Sequence, residues 1–292
     1  MRVVRFARPL LRLWPFQAGK ERLASLLDVK EIPEGTLTRM KVGVTLRLHE
    51  DPMYRAPFLY GEYEAVHTRL IQSIIRPGDV CLDIGANFGY YSALFSKLVG
   101  ATGKVHGFEP VPAFYALAQE TIELNGASSI AKLHNVGLGS ATGTFTVYTF
   151  SELAQGYASS SDLNRTDATP HLCSVTTLDK FVEANAIRRV DLMKVDVEGD
   201  ELNVFLGGKQ LLSAPFAPAI TFEINTSCLS ARALTPDDVQ AVLAEYGYCT
   251  FFRIPNRGRI YKVAKLLNFS SDYVAFKPDR LCRLADRRPG MW

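Results

Sequence analysis

The sequence lacks several patterns that identify common classes of protein. Its five cysteines are widely spaced and form no CxxC pair, which argues against a zinc site and favours reduced thiols in a cytoplasmic protein. The GxGxxG fingerprint and the GxxxxGKS/T phosphate loop are both absent, which weakens the case for nicotinamide or nucleoside triphosphate binding. A formal net charge of +3 at pH 7 is too small to indicate a nucleic-acid partner.

The first sixteen residues, MRVVRFARPLLRLWPF, interleave four arginines with apolar residues. They lack the uninterrupted apolar stretch of a secretory signal, and they are too short and too charged to cross a bilayer. Such a segment could lie on an anionic membrane surface, although Pro9 and Pro15 interrupt any long amphipathic helix. We favour an extension whose arginines face water, with weak membrane-surface contact as the alternative.

Predicted strands and helices alternate through most of the chain. Short apolar runs at residues 80–84, 104–108 and 130–136 are separated by helical patterns at 90–99 and 112–125. Such alternation indicates βαβ units and a doubly wound α/β fold. Further strands are predicted at residues 190–197, 219–224, 248–254 and 273–276, which completes a mostly parallel, seven-stranded sheet.

Two segments fall outside this alternation. Residues 1–58 are predicted to be an N-terminal extension with short β strands that turn near Gly43, and residues 59–292 form the main domain. Residues 151–171 are polar and are predicted to form a long surface loop. A loop of this length could cover the cleft when an acceptor binds.

The segment DIGANFG, residues 83–89, follows a predicted strand and precedes a predicted helix. Glycine allows a sharp turn and a close approach of the backbone to a ligand, and ligands of open α/β sheets bind at the carboxyl ends of the strands. A carboxylate at Asp83 would repel a pyrophosphate but could hold the cationic amino group of S-adenosylmethionine. We therefore predict donor contacts from Asp83, Gly85, Ala86, Asn87, Gly89 and Tyr90.

Two further donor contacts are predicted at the ends of the next strands. Glu109 could accept two hydrogen bonds from a ribose diol, as acidic residues do on dinucleotide-binding folds. At the end of the third strand, His134 and Asn135 lie where an adenine edge would be, and we favour Asn135.

Charged residues also follow two later strands. Alternation places Lys194, Asp196 and Glu198 on one face of the 190–197 strand, and it places Glu223 and Asn225 together on the next. Charges on a buried strand are costly unless they are paired or used, so this cluster is a candidate catalytic site. We favour base catalysis by the carboxylates, with Lys194 keeping Asp196 ionised. A Mg²⁺ site and a purely structural ion-pair network are the alternatives.

These motifs together resemble the FkbM family of methyltransferases. The resemblance covers most of residues 60–225 and lies in YGEYE, RPGDVCLDIGANFGYYS, GKVHGFEPVP, ELNG, TTLD, VDLMKVDVEGDE and ITFEIN. It implies a class I methyltransferase fold, which is Rossmann-like, and S-adenosylmethionine as the methyl donor. It also implies O-methylation of sugar or polyketide hydroxyls. Gly137 in NVGLG departs from the alanine that family members more often carry.

From these observations we expect an S-adenosylmethionine-dependent enzyme that methylates a hydroxyl on a small molecule or glycan. Methylation of another nucleophile, including a nitrogen atom or a protein, is one alternative. A module that binds the cofactor without catalysis is another, and a nicotinamide oxidoreductase is a third.

Overall fold

The computed structural model describes residues 34–48, 61–150, 158–159 and 165–285, with side chains up to residue 281. The strands of the described residues, in chain order, are β1 Leu37–Arg39, β2 Thr45–Arg47, β3 Val80–Ile84, β4 Lys104–Phe108, β5 Ala131–His134, β6 Gly137–Leu138, β7 Gly143–Phe150, β8 Ala158–Ser159, β9 Ala168–Thr176, β10 Leu192–Val195, β11 Ala219–Ile224, β12 Thr250–Ile254, β13 Tyr261–Val263 and β14 Ser271–Phe276. The helices are α1 Ala65–Ile74, α2 Tyr90–Val99, α3 Pro112–Leu124, α4 Leu178–Ala184, α5 Glu201–Leu206, α6 Lys209–Ser213, α7 Thr226–Ala231, α8 Pro236–Glu245 and α9 Pro278–Ala285.

The main sheet has the strand order β13-β12-β14-β11-β10-β3-β4-β5. Strands β5, β4, β3, β10 and β11 are parallel to one another, whereas β14 is antiparallel to both β11 and β12. The chain runs outward from β3 to β5 and then returns to the other side of β3, so β3 and β10 flank a topological switch point. Ligands of open α/β sheets bind at such a point.

The prediction of a mostly parallel α/β sheet is confirmed, but the sheet has eight strands and not seven. The additional strand is β13, a three-residue edge strand that pairs antiparallel with β12. Its exposed residues follow the arginine-rich segment around Arg257 and Arg259. A charged edge strand this short has no apolar alternation by which it could be recognised.

Helices cover both faces of the main sheet, and each face has its own core. One core holds buried residues of α1 and α2, including Leu70 and Phe95. The other holds residues of the opposite helices, including Phe205 and Leu243. Burial on both faces explains why the parallel strands read as nearly continuous apolar runs. Within the part of the chain described, no helix has both the length and the apolar character needed to span a membrane.

The predicted short strands of the N-terminal extension are present as the antiparallel pair β1–β2. The turn between them uses Gly43 at φ +83°. Leu46 and Leu48 are buried in the core that α1 and α2 share, so this pair packs against the main domain. The first sixteen residues and the predicted boundary at 58/59 lie outside the described residues.

A separate four-stranded sheet, ordered β6-β9-β7-β8, is inserted between β5 and α4. The prediction of a continuous loop over residues 151–171 is therefore wrong for β8 and for the start of β9. Of the other residues of that stretch, 165–167 belong to no strand or helix, and the rest lie outside the described residues. Strand β9 pairs with β7 over residues Ala168 to Thr176. Most residues of β9 are exposed or only partly buried, and the exposed ones include both Pro170 and Leu172, so polarity does not alternate regularly along this strand.

Candidate functional site

An open cavity of about 470 Å³ lies at the carboxyl ends of β3, β4, β10 and β11. The start of α1, the first turn of α2 and the inserted sheet also contribute to the cavity wall. This is the position at which the switch point of the main sheet predicts a ligand. The cavity is of the size typical of small-molecule sites.

The segment predicted to bind the methyl donor, residues 83–89, is called the donor loop, and it turns sharply into this cavity. Gly85 and Asn87 both have positive φ, of +83° and +49°, and the backbone N–H groups of Gly85 and Ala86 donate to the carbonyl oxygen of Phe108 at 3.0 and 2.9 Å. Gly85, Ala86 and Asn87 line the cavity. Gly89 does not line it; a Cβ on Gly89 would lie 2.9 Å from Cα of Ala118, so this glycine allows α2 to pack on α3.

Gly85 is required for a reason that differs from the one predicted. A Cβ at this position would lie 1.8 Å from the carbonyl oxygen of Asp196. The close approach is therefore between the ends of β3 and β10, in addition to any approach of a ligand.

Glu109 fastens the donor loop to the end of β4. Its Oε2 accepts a hydrogen bond from the backbone N–H of Asn87 at 2.9 Å, and its Oε1 accepts one from that of Val111 at 2.9 Å. The carboxyl group lines the cavity. Burial raises the pKa of Glu109 to about 7, despite these two hydrogen bonds. Each oxygen retains lone-pair capacity for a ribose hydroxyl.

Asp83 lies beneath the donor loop and does not line the cavity. Its side chain is fully buried and accepts a hydrogen bond from Ser92 Oγ at 2.6 Å. Strand alternation directs it towards α2, so the structure does not support the predicted direct contact with an amino group. Burial raises the pKa of Asp83, and the nearby Lys194 opposes this effect.

Of the remaining predicted donor contacts, only Tyr90 lines the cavity. Its hydroxyl group is 3.0 Å from Oγ1 of Thr68. Asn135 does not line the cavity; its Nδ2 donates to the carbonyl oxygens of Glu109 and Pro110 at 2.9 and 3.0 Å. Asn135 therefore stabilises the end of β4, and its side chain does not line the cavity in which adenine was predicted to bind. The ring of His134 stacks on Phe108, with 5.1 Å between ring centroids.

The predicted carboxylate cluster comes together at the other end of the cavity. Lys194 Nζ donates to Asp196 Oδ2 at 2.7 Å, and Glu198 Oε2 accepts a hydrogen bond from Asn225 Nδ2 at 3.0 Å. Oxygen atoms of Asp196, Glu198 and Glu223 lie within 4.8 Å of one another. Three carboxylates at this spacing could supply oxygen ligands to Mg²⁺, or they could orient a substrate hydroxyl.

Electrostatics distinguishes the members of this cluster. Burial raises the pKa of Glu223 to about 10, and repulsion by Asp196 and Glu198 adds to the effect. Glu223 therefore holds a proton at neutral pH and can donate as well as accept a hydrogen bond. A metal ion bound here would first have to displace that proton.

Sequence reasoning also missed polar residues that line the same cavity, among them Glu64, His67, Tyr91 and Asp272. Asp272 is the cross-strand partner of Glu223. Tyr91 donates its hydroxyl to Glu64 Oε2 at 2.6 Å. Glu64 belongs to the YGEYE motif, which was the available signal, whereas the position of Asp272 depends on pairing between strands distant in sequence.

Comparison with known proteins agrees with this geometry. Residues 83–249 match the family described as "Methyltransferase FkbM domain". A protein-L-isoaspartate O-methyltransferase of Triticum aestivum is 29% identical over 79 residues, which cover 27% of this chain and only 34% of that protein. Methyltransferase sdnD of Sordaria araneosa is 28% identical over 179 residues, which cover 52% of this chain and 68% of that protein.

Among solved structures, an S-adenosylmethionine-dependent O-methyltransferase of Thermotoga maritima aligns with 14% identity and a TM-score of 0.42, covering 85% of this chain and 79% of that one. The FkbM match extends over more than half of the 292 residues. The chain therefore belongs to the FkbM family of S-adenosylmethionine-dependent methyltransferases.

Proposed function

We propose that this protein transfers a methyl group from S-adenosylmethionine to a hydroxyl group on a sugar, a glycan or a polyketide-like small molecule. The observation that carries the proposal is the juxtaposition, in one cavity, of the donor loop at Gly85 and the carboxylate of Asp196. A methyl donor and a group able to take the proton of a hydroxyl are the two requirements of O-methylation.

The donor half of the cavity fits S-adenosylmethionine. The loop from Gly85 to Asn87 turns into the cavity, and the carboxyl of Glu109 offers acceptors for a ribose diol. The bound donor supplies a methyl group attached to a positively charged sulfur. Because such a centre needs little covalent assistance, holding the acceptor oxygen in line with the methyl carbon supplies much of the rate.

The acceptor half would supply orientation and proton transfer. Asp196 receives the acceptor hydroxyl proton in this scheme, and Lys194, buried behind it, holds the carboxylate in place at 2.7 Å. Glu198 and Glu223 lie close enough to hydrogen-bond neighbouring oxygens of the acceptor. Mg²⁺ held by Asp196, Glu198 and Glu223 is the second scheme, which the mutual approach of these oxygens favours.

We also propose that the protein acts in the cytoplasm, since its five cysteines are widely spaced and form no CxxC pair. No nucleic-acid partner is proposed, because the net charge of +3 is small.

The test combines binding with a product screen. Calorimetry should show binding of S-adenosylmethionine and S-adenosylhomocysteine but not of NAD. Incubation with hydroxylated glycans and natural products should then give a mass gain of one methyl group and release of S-adenosylhomocysteine. If the protein binds neither S-adenosylmethionine nor S-adenosylhomocysteine, the proposal is refuted. If methyl groups are found only on nitrogen atoms, the acceptor is an amine and not a hydroxyl group.

A further inference from the structure

The two ends of the cavity differ in chemical character. On the Asp196 side the cavity wall is rich in carboxyl groups. Beyond Glu109, away from Asp196, the wall is almost entirely apolar, and it is supplied largely by the inserted sheet. The side chains that form this apolar end are Phe114, Leu138, Phe145, Val147 and Ala158.

The order of the strands fixes how the donor would lie between these ends. Along the edge of the main sheet, Asp196 follows β10, Gly85 follows β3 and Glu109 follows β4. In S-adenosylmethionine the sulfur and the purine are attached at opposite sides of the ribose. If Glu109 holds the ribose and the methyl group faces Asp196, the purine must point past β4 towards the inserted sheet.

Phe145 is the aromatic side chain that the inserted sheet contributes to this end. It lies on β7, opposite Cys173 of β9, and it packs against the small apolar cluster that contains Val111 and Phe114. Because Phe145 is only partly buried and lines the cavity, its ring is available to a flat ligand. A purine has an apolar face that packs well on such a ring.

Gly137 on β6 makes room for this ring. A Cβ at Gly137 would lie 2.7 Å from Cε1 and 2.8 Å from Cζ of Phe145. Carbon atoms do not approach so closely, so any larger residue at this position would displace the ring. The departure from alanine noted in the sequence therefore has a structural counterpart in the placement of Phe145.

We propose that the inserted sheet forms the purine subsite of the methyl donor, with the Phe145 ring as its wall and Gly137 as the residue that permits that ring position. The inference rests on the proposed use of S-adenosylmethionine. It assigns the inserted sheet to donor binding; the sequence had suggested a cover over the cleft only for residues 151–171.

The experiment measures the dissociation constants of S-adenosylhomocysteine and 5′-methylthioadenosine by calorimetry. The second compound retains the adenosine group but lacks the amino-acid portion. Phe145→Ala should weaken the binding of both compounds by a similar factor, about 5- to 150-fold, the range known for base–aromatic contacts. Phe145→Leu, a smaller disturbance of the fold, should weaken both by less.

Two variants test the geometry. Phe150→Ala removes the same side chain from the same strand, at a buried position that does not line the cavity, and it should leave both affinities unchanged. Gly137→Ala should weaken both compounds, and combining it with Phe145→Leu should restore part of the loss, because leucine leaves room for the added methyl group.

The outcomes separate this inference from the proposed function. If the wild-type protein binds neither compound, the proposed function itself fails. If the wild type binds both, affinities for Phe145→Ala and Phe145→Leu within twofold of the wild type would overturn the purine subsite. Equal weakening by Phe150→Ala would also overturn it, as would a loss confined to S-adenosylhomocysteine.

Discussion

Lys194 and Asp196 form an ion pair at the carboxyl end of β10, with Nζ 2.7 Å from Oδ2. The lysine side chain is 4% exposed and the aspartate 35% exposed, so the pair presents its negative member to the cavity. Burial lowers the pKa of Lys194, but attraction to Asp196 and Asp83 outweighs burial and raises it overall. The lysine therefore remains charged and orients the carboxylate.

Asp196→Asn should reduce methyl transfer by about 10²–10⁴-fold, the usual contribution of a general base. The amide keeps the size of the side chain but cannot take a proton. Affinity for S-adenosylhomocysteine should change little, since Glu109 and the donor loop remain. Asp237→Asn is a matched control, because Asp237 pairs with Lys265 on an exposed surface. Near-normal turnover by both Asp196→Asn and Glu198→Gln would leave proximity alone as the mechanism.

Chelation distinguishes the two schemes for the carboxylate cluster. We expect an excess of EDTA to leave wild-type turnover unchanged, because base catalysis needs no ion and Glu223 holds a proton at neutral pH. If turnover instead disappears with the chelator and returns with Mg²⁺, the metal scheme replaces the base scheme.

Gly85→Ala should destabilise the protein by more than about 4 kcal/mol or prevent folding. The added Cβ would meet the carbonyl oxygen of Asp196, and the positive φ adds strain. Gly126→Ala is the matched control, since Gly126 has φ +62° with nothing within 4 Å of the new atom. It should cost only about 1–2 kcal/mol. Urea unfolding measures the stability of both variants. If they lose the same unfolding free energy, the contact with Asp196 does not explain why residue 85 is glycine.

Binding of the donor should strengthen as pH rises from 6 to 8. Burial raises the pKa of Glu109 to about 7, and only the ionised carboxylate accepts hydrogen bonds with both oxygens from a ribose diol. Calorimetry of S-adenosylhomocysteine across this range should show the effect in the wild type. In Glu109→Gln affinity should be weaker and independent of pH, whereas Asp272→Asn should retain the pH dependence. A flat wild-type profile would contradict the assignment of Glu109.

Glu201→Gln should become more stable than the wild type as pH rises. Burial raises the pKa of Glu201 to about 7, despite the hydrogen bonds it accepts from backbone N–H groups, including that of Gly199. Between the unfolded value of about 4.5 and pH 7 the native state binds the extra proton, so wild-type stability falls over this window. The wild type and Glu201→Gln should have similar unfolding free energies at pH 4.5. At pH 8 Glu201→Gln should be more stable by about 3 kcal/mol. If the difference in unfolding free energy between the two proteins stays the same from pH 4.5 to pH 8, the raised pKa of Glu201 is disproved.

Features determined by short-range patterns were predictable from the sequence. The strands ending at Ile84 and Phe108 and the helix that begins at Tyr90 lie where the patterns placed them. Alternation along β10 and β11 correctly grouped Asp196 with Glu223, because parallel neighbours end at the same edge of a sheet.

Features that depend on long-range packing were not predictable. Asp83 alternates onto the face that α2 covers, so its side chain accepts a hydrogen bond from Ser92 and does not line the cavity. The amide of Asn135 is taken up by two backbone carbonyls, which only the course of the loop after β4 reveals. Of the inserted sheet, the alternation of residues 144–150 predicts a strand, which is present as β7, whereas its partners β8 and β9 lie in or next to the polar stretch that was predicted to be a loop.

The position of β14 determines the order in which the sheet can be completed during synthesis. This strand, the last among the described residues, lies between β11 and β12. Strands β12 and β13 are made earlier but have no neighbour on the main sheet until Ser271–Phe276 has left the ribosome. Until then β11 is an open apolar edge, which is the kind of surface that associates with other chains. A chain that ends between Ile254 and Ser271 would therefore keep its donor loop and the carboxylates of Asp196, Glu198 and Glu223 and yet be prone to aggregate.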